Sequence, residues 1–225
     1  MKQHLEPGDF FIQAQRCFPD DEEMIQMVGD QLVYSELLTK EEYLVGFDID
    51  NMKHIQDNWC GPMLGRKSCN MCIYAQYYKL GKALENKTYD RIVILRSDMY
   101  FLFPLPDVKL GENTLYHADV SSWGGFNPFI LTFKGSMSYI LKMPYEVLSI
   151  PTHHIRSRFP KSMNIEILLK KVWFDLKEET FPVSAFLTAS SKNDVTTWSI
   201  PMFDSSNGFW YKYEDDYRNC IKRLS

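Results

Sequence analysis

Arg96-Ser97-Asp98 follows directly on the run Arg91-Ile-Val-Ile-Leu95. Four consecutive apolar residues, three of them β-branched, predict a strand buried on both faces, as in a parallel sheet. Ligands of open α/β sheets bind beyond the carboxyl ends of such strands, and Asp98 stands three residues past this one. A carboxylate there can hold a hard divalent cation, which takes one or two carboxylates together with substrate phosphates. The chain has neither GxGxxG nor GxxxxGK[ST], so a diphosphate would be gripped by a metal and side chains in place of a glycine-rich loop. A turn-capping carboxylate is the plain alternative for Asp98.

Three other groupings compete. Asp48-Ile49-Asp50 is a literal Asp-x-Asp after Tyr43-Leu-Val45, but its strand is short and Gly46 interrupts it, so a solvated loop ranks first. Cys69-Asn70-Met71-Cys72, with Cys60 and His54 upstream, supplies four residues of the zinc-binding type. Their spacing is irregular, and a small buried Cys inside a helix is the simpler account of Cys72. His153-His154 with Arg156 and Arg158 forms a basic cluster that could touch a diphosphate or an acceptor; a solvated loop accounts for it as well.

The elements that must position these residues alternate between helix and strand. Asp9–Gln15 reads as a short strand, Asp20–Leu38 as a helix opened by acidic residues, and Glu42–Phe47 as a strand. From Asn70 to Leu84, Ile73, Tyr77, Leu80 and Leu84 recur at helical spacing, with Asn86 as the stop. The helix and the strand after it are half of a βαβ unit. Phe129–Phe133 is another strand. Ser162–Leu176 is an amphipathic helix with Ile165, Leu168, Leu169, Val172, Trp173 and Leu176 on one face. Phe181–Leu187 is a late strand in which Pro182 marks an edge or a start, and past Ala189 the pattern weakens. No linker divides the chain, and a single domain spanning 1–225 is expected.

Composition narrows the function classes. With 225 residues and 45% apolar content the chain can build an ordinary core. The net charge of −4, with Lys and Arg scattered, provides no stripe to track a nucleic-acid backbone, so no nucleic-acid partner is expected. No segment is apolar enough to span a bilayer. Five cysteines, an odd number, point to a reducing compartment rather than a disulfide framework. The 13 Tyr and 15 Phe suit a sugar-facing cleft, although core filling explains most of them.

The stretch Asn70-Met71…Tyr78…Lys82-Ala83…Tyr89-Asp90-Arg91 to Phe101…Pro104-Leu105 resembles a poorly characterised viral and bacterial group of GT-A-fold glycosyltransferases, in which Arg-x-Asp replaces the usual Asp-x-Asp. Gly124-Gly125-Phe126-Asn127…Gly135-Ser136-Met137…Tyr139 and Asn164-Ile165-Glu166…Leu169 extend the likeness in the same order. It covers roughly residues 9 to 187. The chain departs from the pattern at Pro128, where the group often has Asp; members usually begin with a strand and a basic loop, and this chain is expected to start after that strand.

The resemblance implies a GT-A-like α/β fold, a mixed and mainly parallel sheet flanked by helices. It implies transfer of a sugar from a nucleotide-sugar donor to a glycan or glycoprotein acceptor, assisted by Mn²⁺ or Mg²⁺ and taking place in the cytoplasm, including that of a virus-infected host. Asp98 is then the metal ligand and Arg96 lies near the diphosphate; Arg66 and Asn70 complete the expected donor-binding set. A metal and an arginine would stabilise the charge on the departing diphosphate. An inverting enzyme also needs a base beside the acceptor hydroxyl, for which Glu166 and Asp119 are the candidates. Their ordinary alternatives are a first-turn acid favoured by the helix dipole and a loop acid. A metal-dependent nucleotidyltransferase and a non-catalytic carbohydrate-binding domain are the competing functions.

Overall fold

Two short, largely apolar runs, Thr114–Ala118 (β7) and Ile130–Lys134 (β8), form the middle of the principal sheet. The computed structural model describes residues 8–15, 26, 28–39, 42, 43, 45, 56–57, 61–62, 70–96, 99–119, 125–128, 130–148, 165–183, 185–189, 202–204, 209–211 and 214–222. All five residues of β7 and the first four of β8 are buried, as befits strands covered on both faces. Arg91–Leu95 (β5) and Lys177–Phe181 (β9) flank them in the order β5-β8-β7-β9.

Strand β8 runs antiparallel to both β5 and β7, whereas β9 is parallel to β7. Hence β5, β7 and β9 point the same way and β8 runs against them. The fold is mixed α/β, but its sheets are not mainly parallel. Among the described strands, only Phe10–Gln15 (β1) with Leu32–Leu38 (β2), and β7 with β9, pair in parallel. Six pairings are antiparallel: β5–β8, β7–β8, Gln56–Asp57 (β3) with Gly61–Pro62 (β4), and the three that order Met202–Asp204 (β11), Phe209–Tyr211 (β12), Ala185–Ala189 (β10) and Met99–Phe101 (β6). Strand β5 is therefore not an interior parallel strand. It is the edge of its sheet among the described residues, with Ile92 buried while Arg91 and Val93 are exposed. An apolar run reports burial tendency; it carries no information on strand direction.

Each face of this sheet has its own apolar cluster. Leu115, Leu131, Phe133 and Ile92 face a layer built from Asn70–Ala83 (α1), the 3₁₀ segment Gly135–Leu141, Met143–Leu148 (α2) and Ile165–Val172 (α3). Tyr116, Ala118 and Ile130 meet Met99, Phe101, Phe181, Val183 and Ala185 on the other. The alternation along β7 and β8 is the pleat itself. Both expected helices form with their apolar faces inward: Tyr77 and Leu84 are buried on the first, and Ile165, Leu168, Leu169, Val172 and Trp173 on the second. Asn86, at φ +66°, turns the chain out of α1 in the left-handed region that Asn tolerates. Trp173 is fully buried and donates its Nε1–H to the Ile140 carbonyl at 3.0 Å; truncating such a residue typically costs about 3–5 kcal/mol.

Elsewhere tertiary pairing overrode local pattern. Residues 32–38, expected to be helical, form β2, paired with β1. Gly29, at φ +63°, breaks any helix entering this region. The strand expected from Glu42 is a helical turn at residues 42 and 43. There Thr39 and Glu42 form a reciprocal capping box: the Thr39 amide donates to Glu42 Oε2 at 2.7 Å, and the Glu42 amide to Thr39 Oγ1 at 3.2 Å. The strand expected over 181–187 splits at Pro182 into β9 and β10. Past Ala189, the weakly patterned tail contributes β11, β12 and the helix Glu214–Lys222 (α4). Among the described residues no helix is long and apolar enough to cross a membrane.

Candidate functional site

Arg96 and Asp119 stand at one end of the principal sheet, and the Glu166 backbone borders the segment that leads into it. Leu95, the last residue of β5, lies opposite Ile130, the first of β8. His117 of β7 lies opposite Leu131, so the continuing register brings Ala118 to Ile130. Arg96 and Asp119, each one residue further, emerge on either side of the start of β8, at the carboxyl ends of two co-directional strands. Their backbones are two strand spacings apart, about 10 Å. Glu166 arrives from α3: its carbonyl accepts the Phe126 amide at 3.2 Å, directly before the segment that enters β8. The contact requires glycine at 125, where a Cβ would lie 2.0 Å from the Glu166 carbonyl oxygen.

Tyr77 joins these groups from α1. Its ring is buried and nearly parallel to Trp173, at 6.4 Å. Its hydroxyl donates to the Pro128 carbonyl. Burial pushes the phenol far above its ordinary value; Arg96 acts against that rise and Glu166 adds to it. The hydroxyl thus sits within electrostatic reach of both the guanidinium and the carboxylate, although the three residues lie in distant segments. The Glu166 side chain is buried, close to the helix N-terminus that favours its anion.

Asp119 is differently placed. It is exposed, its amide donates to Phe181 O at 3.0 Å, and Oδ1 accepts the Val183 amide at 3.3 Å. It ties the end of β7 to the β9–β10 connection, so one carboxylate oxygen already has a structural partner. Asn70 opens α1, seven residues and about 10 Å along the axis from Tyr77. Asp98 and Arg66 lie outside the described residues, as do Asp48, Asp50, His54, Cys60, Cys69, His153, His154, Arg156 and Arg158. Cys72 lies on α1.

No protein-family profile matches the chain, and no curated protein or solved structure resembles it significantly. The site is therefore read from its own chemistry.

Sequence reasoning missed a polar chain beneath the site. His117 is buried on β7 with Nε2 3.0 Å from Glu178 Oε1, and Lys170 of α3 donates to Glu178 Oε2 at 2.7 Å. Burial would raise the Glu178 carboxyl, but hydrogen bonds from Lys170 and His117 outweigh it and hold it below its ordinary value. On its other side His117 Nδ1 faces the Ala118 carbonyl at 2.9 Å and the Asn127 amide at 3.4 Å. Asn127 is itself buried, and its Oδ1 accepts the Ile130 amide at 3.2 Å. The available signal was a histidine flanked by Leu115, Tyr116 and Ala118 in a short strand-like stretch, which marks a buried polar group in need of partners.

Chemically, this end of the sheet combines a guanidinium, a buried carboxylate, an exposed carboxylate and a buried phenol. An arginine in such a position can bind a phosphate oxygen through two N–H groups, and a carboxylate can accept a proton from a hydroxyl. Among the described residues no three His, Cys, Asp or Glu side chains form a group able to hold a metal unaided.

Proposed function

We propose that this chain is a metal-assisted glycosyltransferase of GT-A type, moving a sugar from a nucleotide-sugar to a glycan or other hydroxyl acceptor. The observation that supports the reading is that Arg96 and Asp119 leave co-directional strands at the same end of the sheet, with Arg96 and Glu166 both within electrostatic reach of the Tyr77 hydroxyl. Arg96 binds the diphosphate and steadies the negative charge that grows as the sugar leaves. Asp98 would hold the cation, which when bound neutralises part of the same charge. Glu166 accepts the acceptor's proton, with Asp119 as the other candidate base. A cytoplasmic site of action accompanies this reading.

The test is a panel of nucleotide-sugars screened for thermal stabilisation with and without Mn²⁺, followed by product analysis. Metal-dependent stabilisation by one donor, with slow release of nucleoside diphosphate, is the expected result. Pyrophosphate released from a nucleoside triphosphate would make the protein a nucleotidyltransferase. Glycan binding without turnover of any donor would make it a carbohydrate-binding domain.

A further inference from the structure

We infer that Tyr100 is a stacking platform for a neutral sugar ring, set beside the candidate site by strand β6. The strand alternates: Met99 and Phe101 are buried, and Tyr100 between them is 42% exposed. An exposed side chain ordinarily changes rotamer freely, but this ring is backed. Phe186 lies opposite it on β10, with ring centroids 5.6 Å apart and planes 27° from parallel, within the range of offset stacking. Phe186 is itself buried, with Tyr217 and Tyr211 set nearly perpendicular to it at 5.2 Å and 6.5 Å. Those two tyrosines stack on each other at 4.2 Å and 9°. A ring fixed in advance loses little freedom when a ligand settles on it.

Two strands tie this ring to the candidate site. Along the chain, Tyr100 stands two residues after Asp98 and four after Arg96. Its backbone is therefore at most about 7 Å from the first and about 14 Å from the second. Across the β6–β10 pair, Phe186 comes three residues after Val183, whose amide donates to Asp119 Oδ1 at 3.3 Å.

The chemistry of the ring selects its ligand. An aromatic face is electron-rich, and tyrosine joins that face to a polar tip. A pyranose complements both, with weakly positive C–H groups on one face and hydroxyls around its rim. The footprint is a single ring, because Tyr100 is the one exposed residue of β6. That is the size of one sugar, far below the roughly 800 Å² per partner of a stable protein interface.

The test uses the wild-type chain, Tyr100→Ala and Tyr100→Trp. Each is titrated by ligand-observed NMR, without metal, with glucose, galactose, N-acetylglucosamine and lactose, and separately with uridine and guanosine diphosphates. At least one sugar should bind the wild type, with saturation passing from protein aromatic protons to the C–H groups of one sugar face. Its affinity should fall roughly two- to tenfold in Tyr100→Ala, as for loss of one stacked ring, and stay near wild type in Tyr100→Trp. No sugar bound by the wild type, equal sugar binding in Tyr100→Ala, or a loss confined to the nucleoside diphosphates overturns the inference. If Tyr100→Ala does not fold, the presence or absence of contacts between the Tyr100 ring protons and the bound sugar in the wild type decides.

The role in transfer rests on the function proposed above. Tyr100→Ala should raise KM for the sugar substrate by the same factor and leave kcat nearly unchanged. Sugar binding through Tyr100 without turnover of any nucleotide-sugar would refute the transferase reading and keep the platform. Turnover with an unchanged KM in Tyr100→Ala would refute the platform and keep the transferase.

Discussion

The Tyr77 hydroxyl donates a hydrogen bond to the carbonyl of Pro128, across a sequence separation of 51 residues. This contact fastens α1 to the segment that enters β8, at the sheet end from which Arg96 and Asp119 emerge. Both groups are buried, so neither has water as a ready alternative.

Tyr77→Phe should therefore be destabilising although it removes a single atom. It leaves the Pro128 carbonyl buried without its donor, a loss of about 1–3 kcal/mol. In a chain of this size that is a fall in Tm of about 2–4 °C per kcal/mol. Urea denaturation and thermal melts of the pair measure it; a variant as stable as the parent would show that the hydroxyl contributes nothing.

Glu166→Gln should keep the fold and donor binding but lose transfer by about 10²–10⁴-fold. The Phe126 contact uses the Glu166 backbone and is untouched. Asp119→Asn retains an oxygen for the Val183 amide, so a purely structural Asp119 would tolerate it. Full activity in the Gln variant with loss in the Asn variant would transfer the base role to Asp119. Full activity in both would point to a retaining reaction that uses neither.

Asp98→Ala should abolish the metal-dependent part of donor stabilisation, whereas Asp48→Ala/Asp50→Ala should leave turnover unchanged. Thermal shift with donor, with and without Mn²⁺, reads the first, and steady-state kinetics the second. A folded double variant without turnover would reassign the metal motif to Asp48 and Asp50.

Acidification should weaken the fold through Glu178. Its carboxyl is held below its ordinary value in the folded state, where the hydrogen bonds from Lys170 and His117 outweigh the opposing effect of burial. The stabilisation is then fully present above the unfolded value of about 4.3 and disappears as pH falls through the lower folded value. Stability measured across this acid range should fall more steeply in the wild type than in Glu178→Gln. Parallel curves would show that the Lys170–Glu178–His117 chain contributes no net stability.

Local pattern was legible where burial and period coincide. The apolar face of α3 with Trp173 directly after it, α1 with Asn86 three residues past its end, and strands β1, β5 and β8 all lie within a residue or a few of where periodicity and turn chemistry put them. The misreadings share one cause. Residues 32–38 can satisfy a helical or an extended pattern, and only β1 alongside decides for a strand. Lys177–Thr180 are too polar to read as a strand at all, yet an edge position beside β7 suits them, because an edge strand tolerates charge on its open side.

The candidate site divides in the same way. The sequence by itself determined the chemical types on offer, an arginine and an aspartate after an apolar strand and a glutamate in the first turn of an amphipathic helix, because these follow from residue identity and local spacing. Tertiary structure alone decided that β8 inserts antiparallel between β5 and β7, that Arg96 and Asp119 therefore leave the sheet at the same end, and that the Tyr77 hydroxyl lies within electrostatic reach of Arg96 and Glu166. Likewise it alone paired His117 with Glu178, 61 residues away. The physical reason is that strand order and direction arise from the packing of both sheet faces at once, a global balance that no local run of residues contains.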